Sequence, residues 1–179
     1  MAVPYLIMLA EALVILFELR ALMQTSSIDF YHPATQAVFK LTEPVLKMMP
    51  FKNSHIGSFY YAGFIIAIII SLLFWLGISM TYGAISPMYI ILIAVLMTVK
   101  AFGYLVLCLL LVQALTSWLP ATRGLSFTLG QLTYPLVSPV QKIIPPIGMI
   151  DISLMIIMIA IFALNRLGYS WFGMLWAVI

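Results

Sequence analysis

The sequence predicts an all-α membrane protein with about four transmembrane helices. They form two parallel repeats, each with a cytoplasmic amphipathic segment. Three observations lead there. The first is composition: the 179 residues are 65% hydrophobic and only 7% charged, with a mean hydropathy of +1.19. A soluble domain of this length needs far more charge to cover its surface. The second is an internal echo. Leu41-Thr42-Glu43-Pro44 returns as Leu132-Thr133-Tyr134-Pro135, Ile56-Gly57 as Ile147-Gly148, and Leu76-Gly77 as Leu167-Gly168. All three pairs share an offset of 91 residues, and a fixed period marks a duplicated unit. The third is charge placement. Lys40, Lys47, Lys52, Arg123 and Lys142 fall in two polar segments, while the short link at 83–87 has no basic residue.

The elements follow in order. A span crosses the bilayer core with about 20 apolar residues, and the first runs from about Pro4 to Gln24, roughly 31 Å as helix. A cleaved signal peptide wants Lys or Arg before its apolar core. Here the first basic residue is Arg20, so residues 1–24 read as a real span. A polar, aromatic turn leads to Pro33, which suits the first position of a helix, with Asp29 or His32 near its cap. Ala34, Ala37, Val38, Leu41, Val45, Met48 and Met49 then recur at steps of three and four, and Gln36, Lys40, Glu43 and Lys47 lie opposite. This is an interfacial amphipathic helix within the segment 30–52. Pro44 is expected to kink or break it, and Glu43 and Lys47 are spaced as an i,i+4 pair.

The second span runs from about Phe59 to Tyr82 and closes the first repeat, residues 1–82. Residues 83–95 link it to the third span, Met88 to Trp118. At this length tilt, a break or a kink near Gly103 is expected. The second repeat covers 96–179 and holds an amphipathic segment at 120–149, interrupted by Pro135 and Pro139. The fourth span runs from Asp151 or Ile152 to Asn165. The tail after it carries Tyr169, Trp171, Phe172 and Trp176, rings suited to the membrane interface. Basic loops stay in the cytoplasm, which puts both termini outside and both amphipathic segments inside. Two units of like orientation are then related by an axis along the membrane normal.

The polar residues inside the spans are the candidates for function. Glu11 sits near mid-depth of the first span, where an acid is costly, and Lys100 lies at similar depth in the third. A Glu11–Lys100 contact between the repeats reads as an ion or proton site, or as a structural pair. Arg20, two residues from Glu18 and on a different face, reads as a clamp onto Asp29 or onto the carbonyls ending the helix. Lys40 and Lys142 are placed to hold anionic headgroups, and Asp151 to cap the fourth span. Cys108, alone, excludes an internal disulfide and reads as a small apolar packing residue. His32 and His55 lie outside the spans without acid neighbours, a poor metal set. No nucleophile–base spacing, phosphate loop or zinc pattern occurs. The expectation is a protein without cofactor or enzymatic activity. Its partners are membrane lipids, including anionic headgroups, and a membrane or cytoplasmic protein. A net charge of +3 does not suit direct nucleic-acid binding.

The stretch from Arg20 to Pro44 reads R-A-L-M-Q-x4-D-F-Y-H-P-x2-Q-x3-K-x-T-x-P. It resembles the first signature of the YggT family, which includes the YlmG proteins and their plastid relatives. That signature usually has Asn where His32 stands. Ser117-Trp118, then Gln131 to Pro135 and Ser138 to Ser153, echo the second signature. Members often carry a basic cluster and a Gly-x-Ile-Asp element in the first unit. Here Lys47 to Phe59 lacks that Asp, which leaves Asp151 as the sole copy. The resemblance implies a small multi-pass protein of the bacterial inner membrane. It also implies a role in osmotic and ion homeostasis, in division and nucleoid organisation, or, as in plastids, in cytochrome assembly. A non-enzymatic scaffold or assembly factor fits that range best. An ion or small-solute conduit at the repeat interface, using Glu11, Lys100 and Arg20, is the alternative.

Overall fold

The computed structural model describes residues 3–26, 28, 31–50, 54–83, 85–118, 122–144 and 151–179. Asp29, Ile147 and Gly148 lie outside them. Among the described residues the chain is helical apart from one two-stranded hairpin. The helices are α1 (Val3–Thr25), α2 (Pro33–Lys47), α3 (Ala62–Tyr82), α4 (Pro87–Trp118), α5 (Arg123–Gln141), α6 (Ile152–Phe172) and α7 (Met174–Val178). Strands β1 (His55–Ile56) and β2 (Phe59–Tyr60) pair between α2 and α3. Three helices, α3, α4 and α6, are long and apolar enough to cross a membrane. α1 matches them in length at 23 residues, but it carries Glu11, Glu18 and Arg20.

Several boundaries differ from the sequence reading. Phe59 and Tyr60 belong to the hairpin, not to the second span, because the turn at Gly57 (φ 61) folds them back on His55 and Ile56. Such a φ costs glycine nothing. α4 is one helix of 32 residues with no break at Gly103. α2 and α5 run through Pro44, Pro135 and Pro139. A proline deletes one N–H, and a single missing bond leaves the rest of a helix intact when packing holds both sides. α6 continues past Asn165 to Phe172, and Gly173 (φ 54) turns the chain back into α7. The end of the aromatic tail is therefore a packed return, while Tyr169 and Trp171 stay exposed. Trp176 is buried, and its Nε1 donates to Asn165 Oδ1 at 2.8 Å. A Cβ on Gly168 would sit inside the Trp176 indole, so the glycine makes the notch that admits it.

α1 packs along α3 and α4 over most of its length. Near one end Ile7 and Ala10 meet Trp75, Ile90, Ala94 and Met97. Midway Val14 and Phe17 meet Ala62, Ile66, Ala67 and Ala101. At the far end Leu22 and Met23 meet Leu105, Leu132 and Val38. Small residues recur at these crossings, as expected where the solvent is as apolar as the core and close van der Waals packing must hold helices together. Gly63 is the tightest: a Cβ there would overlap the Phe17 carbonyl and press on Ala21. α5 and α6 pack on the other side of α4 through Val106, Leu110, Val137 and Leu154. Cys108 is exposed on the outer face of α4, not packed inside.

Gly63→Leu should therefore separate α1 from α3 and cost about 1–3 kcal/mol or more as overpacking. Gly77→Leu, where nothing lies within 4 Å, should be close to neutral. Thermal melting of the two variants in the same detergent checks this.

Candidate functional site

Arg20 lies near the end of α1 and is 4% exposed. A buried guanidinium needs acceptors for its donors, and α2 supplies them. Nη1 donates to the Thr42 hydroxyl at 2.7 Å and to the Phe39 carbonyl at 3.1 Å. Nη2 meets Glu43 Oε2 at 2.5 Å. The Phe39 ring lies 4.3 Å from the guanidinium carbon, within cation–π range. Among the described residues Arg20–Glu43 is the one salt bridge. Glu43 thus turns to Arg20 and not to Lys47. Its side chain is 36% exposed, so solvent screens that pair to about 1 kcal/mol at most. The buried hydroxyl and carbonyl bonds to a charged group are worth roughly 1.5–3 kcal/mol each, and they carry the clasp.

α4 and α5 build a similar clasp without charge. Arg20-Ala21-Leu22 is matched by Gln113-Ala114-Leu115, and Thr42-Glu43-Pro44 by Thr133-Tyr134-Pro135. Gln113 Oε1 lies 2.6 Å from the Thr133 hydroxyl. Both threonines are fully buried, and both reach back to the carbonyl four residues earlier: Val38 at 2.6 Å and Leu129 at 2.9 Å. The Leu-Thr-x-Pro echo is therefore a latch that fixes α2 near the end of α1 and α5 near the end of α4. The Ser26 hydroxyl joins the copies by donating to the Leu132 carbonyl at 2.8 Å.

The other candidates do not gather into one site. Lys40 on α2 and Lys142 at the end of α5 are both exposed. Asp151 is the N-cap of α6: Oδ1 accepts from Ser153 N at 3.0 Å, and Oδ2 from Gln141 Nε2 at 2.7 Å. The Ser153 hydroxyl donates to the Ile144 carbonyl at 2.8 Å, so the two residues tie the start of α6 to the end of α5. His32 caps α2, with Nδ1 accepting from Ala34 N at 3.3 Å. Lys100 does not pair with Glu11. Its Nζ donates to the carbonyls of Trp176, at 2.8 Å, and of Ile179. The rings of Tyr104 and Trp176 flank it at 5.6 and 5.8 Å. A cation at the C-terminal end of a helix meets the negative end of its dipole.

Glu18 is the residue that sequence reasoning passed over. It is fully buried, and neither carboxylate oxygen has a hydrogen-bond partner. Seven residues separate it from Glu11, two helical turns, so both acids lie on the α1 face that also carries Val14 and Leu22. That spacing was the available signal. Its nearness to Arg20 in sequence obscured it, although a two-residue step points the side chains to different faces.

The family model described as CCB3/YggT matches residues 56–172. Among curated proteins, the uncharacterized protein YggT of Escherichia coli K12 is 32% identical over 149 residues, 82% of this chain and 78% of its own. An uncharacterized Haemophilus influenzae protein is 28% identical over 161 residues, covering 89% and 87% of the two chains. A Vibrio alginolyticus protein, named only as lying in the proC 3′ region, is 28% identical over 162 residues, 88% of each. No solved structure gives a significant match.

The two latches predict an order of effects. Thr42→Val should cost roughly 1–3 kcal/mol, because it strips an acceptor from a buried cation, and Thr133→Val about 1 kcal/mol. Glu43→Gln should cost less than about 1 kcal/mol. Melting in detergent reads the order, and a Glu43→Gln loss exceeding that of Thr42→Val would overturn the assignment of the clasp to its buried bonds.

Proposed function

The chain belongs to the CCB3/YggT family, and from that premise we propose that it is a non-enzymatic scaffold of the bacterial inner membrane. In this reading α1 is a fourth span beside α3, α4 and α6, and the two parallel repeats hold α2 and α5 on the cytoplasmic surface. The carrying observation is the way those two helices are mounted. Thr35, Val38, Thr42 and Leu46 of α2 face inward, as do Leu132, Thr133 and Val137 of α5. The outward faces stay open. Lys40, Leu41, Lys47 and Met48 are exposed on or just beyond α2, and Phe127, Tyr134, Lys142 and Ile143 on or just beyond α5. Cationic side chains interleaved with apolar ones suit an anionic headgroup layer together with a protein partner docked at its surface. The latches hold both helices in register with the bundle, which a platform requires.

The test is extraction in mild detergent followed by identification of co-purifying chains. A stoichiometric partner should accompany the wild type and be lost, by tenfold or more, from Leu41→Glu and Phe127→Glu variants that still melt normally. A chain that purifies alone under these conditions would sink the scaffold reading.

Glu18 favours a second reading, an ion or small-solute conduit at the repeat interface. An acid kept without a partner inside a bundle is costly, and such residues often serve transport. Cation flux into proteoliposomes should then fall severalfold in Glu18→Gln. Equal flux in wild type and variant removes this reading.

A further inference from the structure

Glu18 lies where α1 is most tightly covered. Its side chain is 0% exposed, and neither carboxyl oxygen receives a hydrogen bond. Val14 and Leu22, one turn before and after it, pack with Ala101 and Leu105 of α4, so apolar contacts close the face on both sides. Among the described residues no cation pairs with it. Arg20 is turned to Phe39, Thr42 and Glu43 of α2. Lys100 of α4 is held by the carbonyls of Trp176 and Ile179, and α3 carries no basic residue. Lys40 and Lys47 of α2, Tyr104 of α4 and Tyr134 of α5 are exposed. The ionisable group whose field reaches Glu18 is Glu11, a second acid.

A carboxylate buried without donors or a counter-ion is too costly to keep its charge, and a like charge nearby adds to the cost. The number of oxygens decides what neutralises it. A metal cation out of water needs several oxygens at one point. The other buried oxygen without a partner, Gln24 Oε1, belongs to a residue about 9 Å further along the axis and a third of a turn round. A proton needs one oxygen. From this we propose that Glu18 is a proton-binding site: it is carried as the neutral acid, and the ion that it takes and gives up is H+, not a metal cation. Glu11 is its companion, half-buried on the same face. Two acids in such unlike surroundings leave the proton on the more buried one. The assignment names the ion of the conduit reading and rests on that reading for transport alone, since the proton binds whether or not it crosses.

Infrared spectroscopy of the full chain in an ester-free detergent reads the acid directly, because a protonated carboxyl has a C=O band that a carboxylate lacks. At neutral pH wild type should show that band, lost in Glu18→Gln and kept in Glu11→Gln. The band should shift in deuterium oxide, bleach reversibly in alkali, and stay unchanged when sodium, potassium or calcium is added at fixed pH. A wild type without the band, an equal band in Glu18→Gln, or a band that a metal cation removes at fixed pH overturns the site. A band that neither deuterium oxide nor alkali alters overturns the exchange. Should Glu18→Gln fail to fold, the double variant Glu11→Gln/Glu43→Gln leaves Glu18 as the sole glutamate and is prepared with isotope-labelled glutamate carboxyls. A band that moves with the label supports the site, and one that does not overturns it. Proton flux into proteoliposomes separates the two ideas. Equal flux in wild type and Glu18→Gln with the band present removes the conduit and keeps the proton site. Flux that depends on Glu18 in the absence of the band overturns the proton site and keeps the conduit.

Discussion

The structure depends on one constraint: where water is scarce, polar groups must find partners inside the chain, and Glu18 stands out because neither of its oxygens does. The two threonine latches answer that constraint where α2 meets α1 and α5 meets α4. The Thr42 hydroxyl accepts from Arg20 while donating to the carbonyl one turn back, and the single Thr133 proton is shared between Gln113 Oε1 and the Leu129 carbonyl. The same rule explains the ends. Asp151 and Ser153 stitch α5 to α6, and Lys100 gathers the carbonyls at the close of α7. Small residues at the crossings of α1 with α3 and α4 then let van der Waals contact hold the bundle where hydrophobic association gives little.

The two latches are built alike around a buried threonine, but the first uses a guanidinium and a carboxylate and the second an amide beside Tyr134. A charged latch is stronger when buried and more exposed to failure, because losing one partner leaves a charge behind. The neutral latch tolerates loss better. The polar candidates stay apart among the described residues. Arg20 is engaged with α2, Asp151 is engaged at α6, and Lys40 and Lys142 face outward separately.

Much of the architecture was legible because hydropathy and helical periodicity report directly on long apolar and amphipathic helices. The long α4, the amphipathic helices α2 and α5, the cap at Asp151 and the place of Pro33 and His32 at the start of α2 follow from local rules. What was not legible depended on distant partners. Pro135 and Pro139 end helices only when nothing else holds them, and here Leu132, Val137 and the Thr133 latch do. Lys100 and Glu11 share a depth, but α7 reaches Lys100 first, and nothing in the local sequence says that Gly173 turns the chain back. Gly168 and Trp176 were visible as residues, yet a notch and its ring are recognised only together.

On the proposed placement of α2 and α5 at the membrane surface, the prolines inside them set how deep they can sit. Pro44 has no N–H to give the carbonyl of Lys40, and Pro135 none for that of Gln131. Lys40 and Gln131 are both exposed, so on that placement the carbonyl that each proline leaves without its usual helical donor faces water or headgroups, which satisfy it where hydrocarbon would not. The Leu-Thr-x-Pro motif would then set a float line, with a threonine anchoring the helix to the bundle and a proline two residues further on keeping its outer side wet.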